Sequence, residues 1–430
     1  MLSIARASAA CLFSLTVSLT ACAQSEPEMA PENSASTDLQ TAPISLTVLE
    51  FGGPNTLFAA DDVQNKIYAL ELDDIPDETG NLESVPYNLV GFGSQLADFL
   101  SVSPFDITYH DLAVHPVTKA AFVSLSVTGD GAERSALIMV SPDGNITDLD
   151  FDAMSFTSID FSEPADPNVT FWRDIPAPAL SVTDFEYDDG TLYVAGLSNG
   201  EFASTLRSVA YPFTDGAKTT SIEMFHTAHN QNETRAPIRA MAMADLNGEK
   251  TMVAAYTCTP LVTIPAGALQ DGAHVVGKTV AELGYGNRPL EVLSLTAYNM
   301  ERQPEQFVLV INREMSANLI KLEDLAAAPA LTEPFGGLGE TLGADGTHIP
   351  FAGILQADDQ DAQFILTLRR NIDTGDVDLI SSMKGVYFRL SDFVSEYTFP
   401  DYTYAENQVG TQMFHNMLKP LEGYPELVIE

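Results

Sequence analysis

Six short apolar runs recur along this chain: Leu57–Asp61, Phe122–Ser126, Leu192–Gly196, Met252–Tyr256, Val308–Asn312 and Ile365–Arg369. Their first residues are 65, 70, 60, 56 and 57 positions apart. A near-constant period of that length marks a radially repeated all-β architecture, each repeat a sheet too small to bury its faces alone. The pattern predicts a β-propeller, with six blades centred on the six runs. Seven is the alternative, because the gap between the second and third runs includes residues 150–179, long enough to hold extra strands. β-Helix repeats are much shorter than this period, and a sandwich carries no such echo.

The same grammar surrounds each run. An alternating strand precedes it and ends in turn residues, as in Phe185–Tyr187 before Asp188-Asp189-Gly190 and Met241–Met243 before Asp245–Gly248. Such Asp-Gly and Asn-Gly pairs supply the positive φ that a tight hairpin needs. Strand-like segments follow it: Lys66–Leu70, Leu261–Ile264, Asn318–Leu325 and Gly385–Phe393. The segment from Ser395 to Glu430 is expected to return and complete the first blade, or to build part of a seventh.

Residues 1–21 read as a signal peptide: Arg6 is the only charge, Ala9–Leu19 is too short to span a bilayer, and Leu19-Thr20-Ala21-Cys22 follows. That tetrapeptide resembles a bacterial lipobox, which implies cleavage before Cys22 and its acylation. Residues 22–43, rich in Pro, Glu, Ser and Thr, read as the lipidated Cys and a flexible tether, leaving 44–430 as the propeller domain. The expected location is the bacterial cell envelope, lipid-anchored at the outer membrane and facing the periplasm or the surface. With Cys11 in the signal and Cys22 acylated, Cys258 is the remaining thiol, and no intrachain disulfide is available to the mature chain.

The formal charge of −40 argues against nucleic acid as a ligand, since phosphate binding needs a basic footprint. Apart from its anchor, the chain is expected to be a monomer whose partner is a small anionic ligand or an envelope protein.

Propeller function sits in loops and strand ends facing the central channel. Just before the second strand of several blades stand Ser103-Pro104, Ala236-Pro237, Arg288-Pro289 and Ile349-Pro350, with Asp111, Asp184, Arg239 and Glu291 at matched positions downstream. Acidic groups with an Arg inserted suit a cation site or a sugar or carboxylate pocket; the same side chains also serve to satisfy backbone amides of neighbouring blades. Loops after the echo strands bring Asn312, Arg313 and Cys258 to the same face as Arg288, a candidate cluster for an anionic ligand. Separately, His226 and His229 with Glu233 have donor types that suit a transition metal, although no third ligand stands at a recognised spacing. No Cys-x-x-Cys-His, nucleophile elbow or Walker loop is present, and the single Trp, Trp172, argues against the Trp-rich quinone-dependent propellers.

The blades Asn55–Leu70 and Asp189–Gly196 resemble the calcium-dependent gluconolactonase and NHL-type propellers. That resemblance implies a divalent cation, calcium or another, held in the funnel, with Glu291, Asn312, Asp111 and Asp184 as positional counterparts of its ligands; Arg239 departs from the pattern. The stretch Tyr256–Leu290 is similar to uncharacterised bacterial envelope propeller proteins, a likeness that implies architecture and no activity. The expected function is therefore a lipid-anchored binding or accessory module, and the alternative is a divalent-metal-dependent hydrolase or lactonase.

Overall fold

The computed structural model describes residues 41–72, 85–129, 132–151, 153–161, 163–171, 174–257, 260–284, 286–298, 303–337, 340–387, 389–390, 395–399 and 401–421. The predicted signal, Cys22, Cys258 and Trp172 lie outside them. Each of the six echo runs falls on the second strand of an antiparallel sheet, and the six sheets form the blades of a six-bladed propeller. In chain order these are blades A to F. Their innermost strands are Leu49–Gly53, Ile107–Val114, Asp184–Asp188, Ile238–Leu246, Pro289–Tyr298 and Ile354–Asp359. The second strands bury almost every residue because both of their faces meet a neighbouring blade, which is why they read as unbroken apolar runs.

The blades do not follow one another round the ring in chain order. The innermost strand of blade A lies between those of B and C, and that of B lies beside F, so the ring runs B, A, C, D, E, F. The core divides the same way. One apolar cluster joins A to B through Leu57, Tyr68 and Phe122, another joins A to C through Phe58, Phe185 and Leu192, and a third joins B to F through Phe92, Val123 and Leu368. Three more close the pairs C–D, D–E and E–F.

Outer strands come from elsewhere in the chain. Phe156–Asp160, which follows blade B in sequence, completes blade A, and Asn88–Leu89, which precedes blade B, completes blade F. His274–Val276 adds in parallel to the blade C strand Lys218–His226, and Leu342–Gly343 extends blade D. Each addition covers an edge whose N–H and C=O groups would otherwise be open to other chains.

Several expectations are corrected. The third strand of blade F is Val377–Met383; the described part of Gly385–Phe393 carries no strand. Asn318–Leu325 is a strand only to Lys321, after which Leu322–Ala327 forms a helix. The described residues after Ser395 complete no blade and end in the helix Val409–Leu421. The interval 150–179 holds Phe156–Asp160 and a two-residue hairpin, Thr170–Phe171 with Ile175–Pro176, not a seventh blade. The X-Pro segments precede the innermost strands, not the second ones.

Candidate functional site

The innermost strands ring the axis, and four of them carry a β-bulge near the start, between Tyr109 and Asp111, Ile238 and Ala240, Pro289 and Glu291, and Ile354 and Gln356. A bulge leaves one residue out of the ladder and re-aims its side chain. His110, Arg239 and Leu290, three of the residues left out, line a cavity of about 290 Å³.

Below this mouth the carboxylates form two tiers, set by hairpin register. Asp111, Asp184 and Glu291 lie opposite Ser124, Ala195 and Ile311 of their second strands. Glu50, Glu186 and Asp358 lie opposite Phe58, Tyr193 and Leu366, about two residues deeper. The upper tier borders both the mouth and a deeper cavity of about 280 Å³, and the lower tier borders only the deeper one.

These carboxyls are hard to ionise. Burial pushes Asp111 up to about 7 even though the Leu49 and Leu112 amides donate to it at 2.7 and 2.8 Å. Burial, reinforced by the carboxylates around them, holds Asp184, Glu291 and Glu50 well above the usual range. Glu186 and Asp358 are each raised to about 8, again mainly by burial. Burial thus disfavours the charged form throughout this set, and a protonated member can donate a hydrogen bond as well as accept one. Three of the aspartates also stitch blades together: Asp111 accepts from Leu49, Asp184 from Met241 at 2.6 Å and Asp358 from Val114 at 2.6 Å, each across a blade boundary.

Arg239 stands alone among them. Its side chain lines the mouth, and its guanidinium makes no hydrogen bond or ion pair with the described residues. Burial lowers its pKa, Asp184 opposes that shift, and the charges of Arg288 and Arg313 add to it. Arg288 is exposed and forms a bidentate pair with Glu314, and its carbonyl accepts from the Arg313 amide at 2.9 Å. Asn312 is buried away from both cavities, with Nδ2 donating to the Ser316 carbonyl at 3.0 Å.

The structure thus brings Asp111, Asp184, Arg239 and Glu291 to the axis and groups Arg288 with Arg313 nearby, but not Asn312. Of the four residues that the lactonase resemblance implies as calcium ligands, Asp111, Asp184 and Glu291 line the same two cavities and Asn312 lines neither. Asn312 is turned to its own loop, and both oxygens of Asp111 and one of Asp184 are taken by backbone amides. Sequence reasoning missed the lower tier; its signal was a second acidic residue at period two, as in Asp184 and Glu186.

Two further clusters sit on outer strands. His226 Nδ1 and His229 Nδ1 lie 3.1 and 2.5 Å from Glu233 Oε1, and the three side chains could hold a divalent cation. On the same blade, Ser221 Oγ is 2.8 Å from His274 Nδ1, whose Nε2 is 3.1 Å from Glu223 Oε2, beside a cavity of about 570 Å³. This Ser–His–Glu chain was invisible in sequence because His274 arrives 53 residues later by parallel pairing. Two amides beside it are not free to form an oxyanion hole for acyl transfer: the Ser221 amide is bound to the Ala273 carbonyl and the Gly272 amide to the Thr219 carbonyl.

No protein-family model and no curated protein matches this chain. Among solved structures, the extracellular domains 1-2 of Drosophila semaphorin 1b are similar at 9% identity, covering 83% of this chain and 90% of that one, with a TM-score of 0.34. Virginiamycin B lyase from Staphylococcus aureus is similar at 7% identity over 80% and 96% of the two chains, TM-score 0.30, and a streptogramin B lyase structure at 11% over 79% and 83%, TM-score 0.28. Likenesses this distant add nothing to the fold that the six sheets establish.

Proposed function

We propose that the propeller is a binding module whose channel mouth takes a small hydroxylated monoanion, such as a sugar acid or hydroxy acid, with Arg239 as its anchor. The observation that carries this reading is the guanidinium of Arg239, without a partner among the described residues, set in a cavity of about 290 Å³ whose polar lining also includes carboxyls, His110, Thr47, Thr183 and Gln356. Arg239 is half-buried and has no side-chain partner among the described residues, and a carboxylate offers it the bidentate fit it lacks. Burial disfavours the charged forms of Asp184 and Glu291, which weakens the repulsion an anion meets from these two walls, and a protonated carboxyl can donate to a ligand oxygen. In this reading the disc is displayed on the envelope by the acylated Cys22, and chemistry on the ligand is not required of it.

Calorimetric titration with gluconate, and with glucose as the neutral control, tests the proposal. Gluconate is expected to bind and glucose to bind at least tenfold more weakly. Arg239→Gln should weaken gluconate by about 10- to 100-fold, the usual worth of a charge-assisted contact of about 1.5–3 kcal/mol. Binding of the two compounds with equal affinity, or an unchanged affinity in the variant, would refute it.

A further inference from the structure

We infer that His226, His229 and Glu233 form a transition-metal site of the zinc class on the outer edge of blade C, separate from the channel. Hairpin register builds it. Glu233 pairs directly with Met224, and His226 lies two residues along the same strand, so both side chains leave one face of the ladder. His229 comes from the connecting turn, where its amide bonds the His226 carbonyl at 3.2 Å and Asn230 adopts a φ of 50°.

The turn is clamped. Thr227 donates both its amide and its hydroxyl to Glu282 Oε1 of blade D, at 3.0 and 2.8 Å, and its carbonyl accepts the Phe335 amide at 3.1 Å. The donor atoms are therefore held in place before any ion arrives, which is what an affinity site requires.

Their arrangement exceeds what a carboxylate needs for itself. One ring nitrogen satisfies an oxygen, yet two imidazoles converge on Glu233 Oε1, their ring centroids only 3.9 Å apart and one ring fully buried. All three donor atoms lie within 4.8 Å of one another. A tetrahedral zinc ion with bonds of about 2.0–2.1 Å spaces its ligands by roughly 3.3 Å, so the observed spacings need only a small opening to admit one. Two imidazoles and one carboxylate favour zinc or a neighbouring first-row ion over calcium, which prefers six or more oxygens. His229 is half-exposed, so the fourth position faces solvent and is open to water or to an imidazole or carboxylate of a partner.

The test uses the full chain without a histidine tag, stripped of metal, and titrated with Co²⁺ and Zn²⁺. One equivalent of Co²⁺ should give the intense visible absorption of a tetrahedral ion, displaced by Zn²⁺ and not by a tenfold excess of Ca²⁺. His229→Ala alters an exposed turn residue and is expected to fold, with zinc affinity reduced at least 100-fold; Glu233→Gln should lose the cobalt spectrum. Several equivalents bound with octahedral spectra, displacement by Ca²⁺, or equal affinity in His229→Ala would overturn the inference. These outcomes leave gluconate binding at Arg239 unaffected, so the two proposals fail separately.

Discussion

Replacing Glu186 by Gln isolates one of the channel's half-buried acids. In the folded chain its carboxyl is raised from 4.5 to about 8, by burial first and then by Asp188 and Asp358, against a hydrogen bond from the Met243 amide. The folded pKa lies above the unfolded one, so the native state holds this proton more tightly. Its contribution to stability is complete below about pH 4.5 and is lost as pH rises through about 8. A tenfold difference in proton affinity is worth about 1.4 kcal/mol, so raising the pKa from 4.5 to about 8 amounts to about 5 kcal/mol between those limits. Gln keeps an acceptor for the Met243 amide and carries no titrating proton. Urea or thermal unfolding at constant ionic strength from pH 5 to pH 8 should show the wild-type chain losing stability, and the variant losing about 4 kcal/mol less over that interval. For a chain of this length that is about 4–5 °C of melting temperature. Parallel wild-type and variant profiles would refute the reasoning, because they would mean that Glu186 is ionised in the folded channel at no cost.

Asp61 is fully buried and receives the amides of Ile44 at 2.9 Å, Ser45 at 3.2 Å, Val63 at 3.0 Å and Gln64 at 2.8 Å, so Asp61→Ala should cost about 3 kcal/mol or more in denaturant unfolding. An excess of forty negative charges should make the melting temperature rise between low salt and about 0.15 M, where the Debye length falls to about 8 Å; a flat profile would show that local pairing already removes the repulsion. Cys22→Ser should move the protein from washed membranes to the soluble fraction, and continued sedimentation would reject the acylated anchor.

The blade count was legible because the second strands are buried on both faces and must be apolar whatever else changes. The upper ring was legible in part from the X-Pro segments that stand before the strands of Asp111, Arg239 and Glu291. Asp358 and Glu50 escaped although each stands seven residues before its echo run, because no X-Pro segment stands close before either of them to mark the position. Val377–Met383 does not stand out in the sequence although five of its residues are buried, because Asp378 and Ser381 interrupt the apolar run that marks the other strands. Asp378 is there to accept the Gly91 amide at 2.7 Å, a contact with a segment nearly three hundred residues away.

The order of the blades could not be read from the chain, and the reason is physical. A repeat period reports how each sheet folds on itself, through hairpins of two to a few residues. It carries nothing about which sheet lies beside which, because every blade offers its neighbours the same kind of apolar face. Blade A can therefore sit between B and C as well as at the ring's start, provided the chain supplies outer strands to match. Phe156–Asp160 and Asn88–Leu89 are those strands, and they bind blades A and F from either side of blade B in sequence. Blades A and F are thus both completed by strands that flank blade B in sequence. Tyr87 joins blades B and F: its hydroxyl lies 2.8 Å from the carbonyls of Lys119 and Val140 in blade B and accepts the Ala121 amide, while its own amide donates to Ser381 of blade F. Removing that hydroxyl with Tyr87→Phe leaves the Ala121 amide buried without an acceptor. The expected cost is about 1–3 kcal/mol. The lost bonds join the blade B hairpin to a segment paired with blade F, so exchange protection should fall in both blades together and not in blade D. A loss confined to blade B would show that the two sheets open independently and that the shared strand does not couple them.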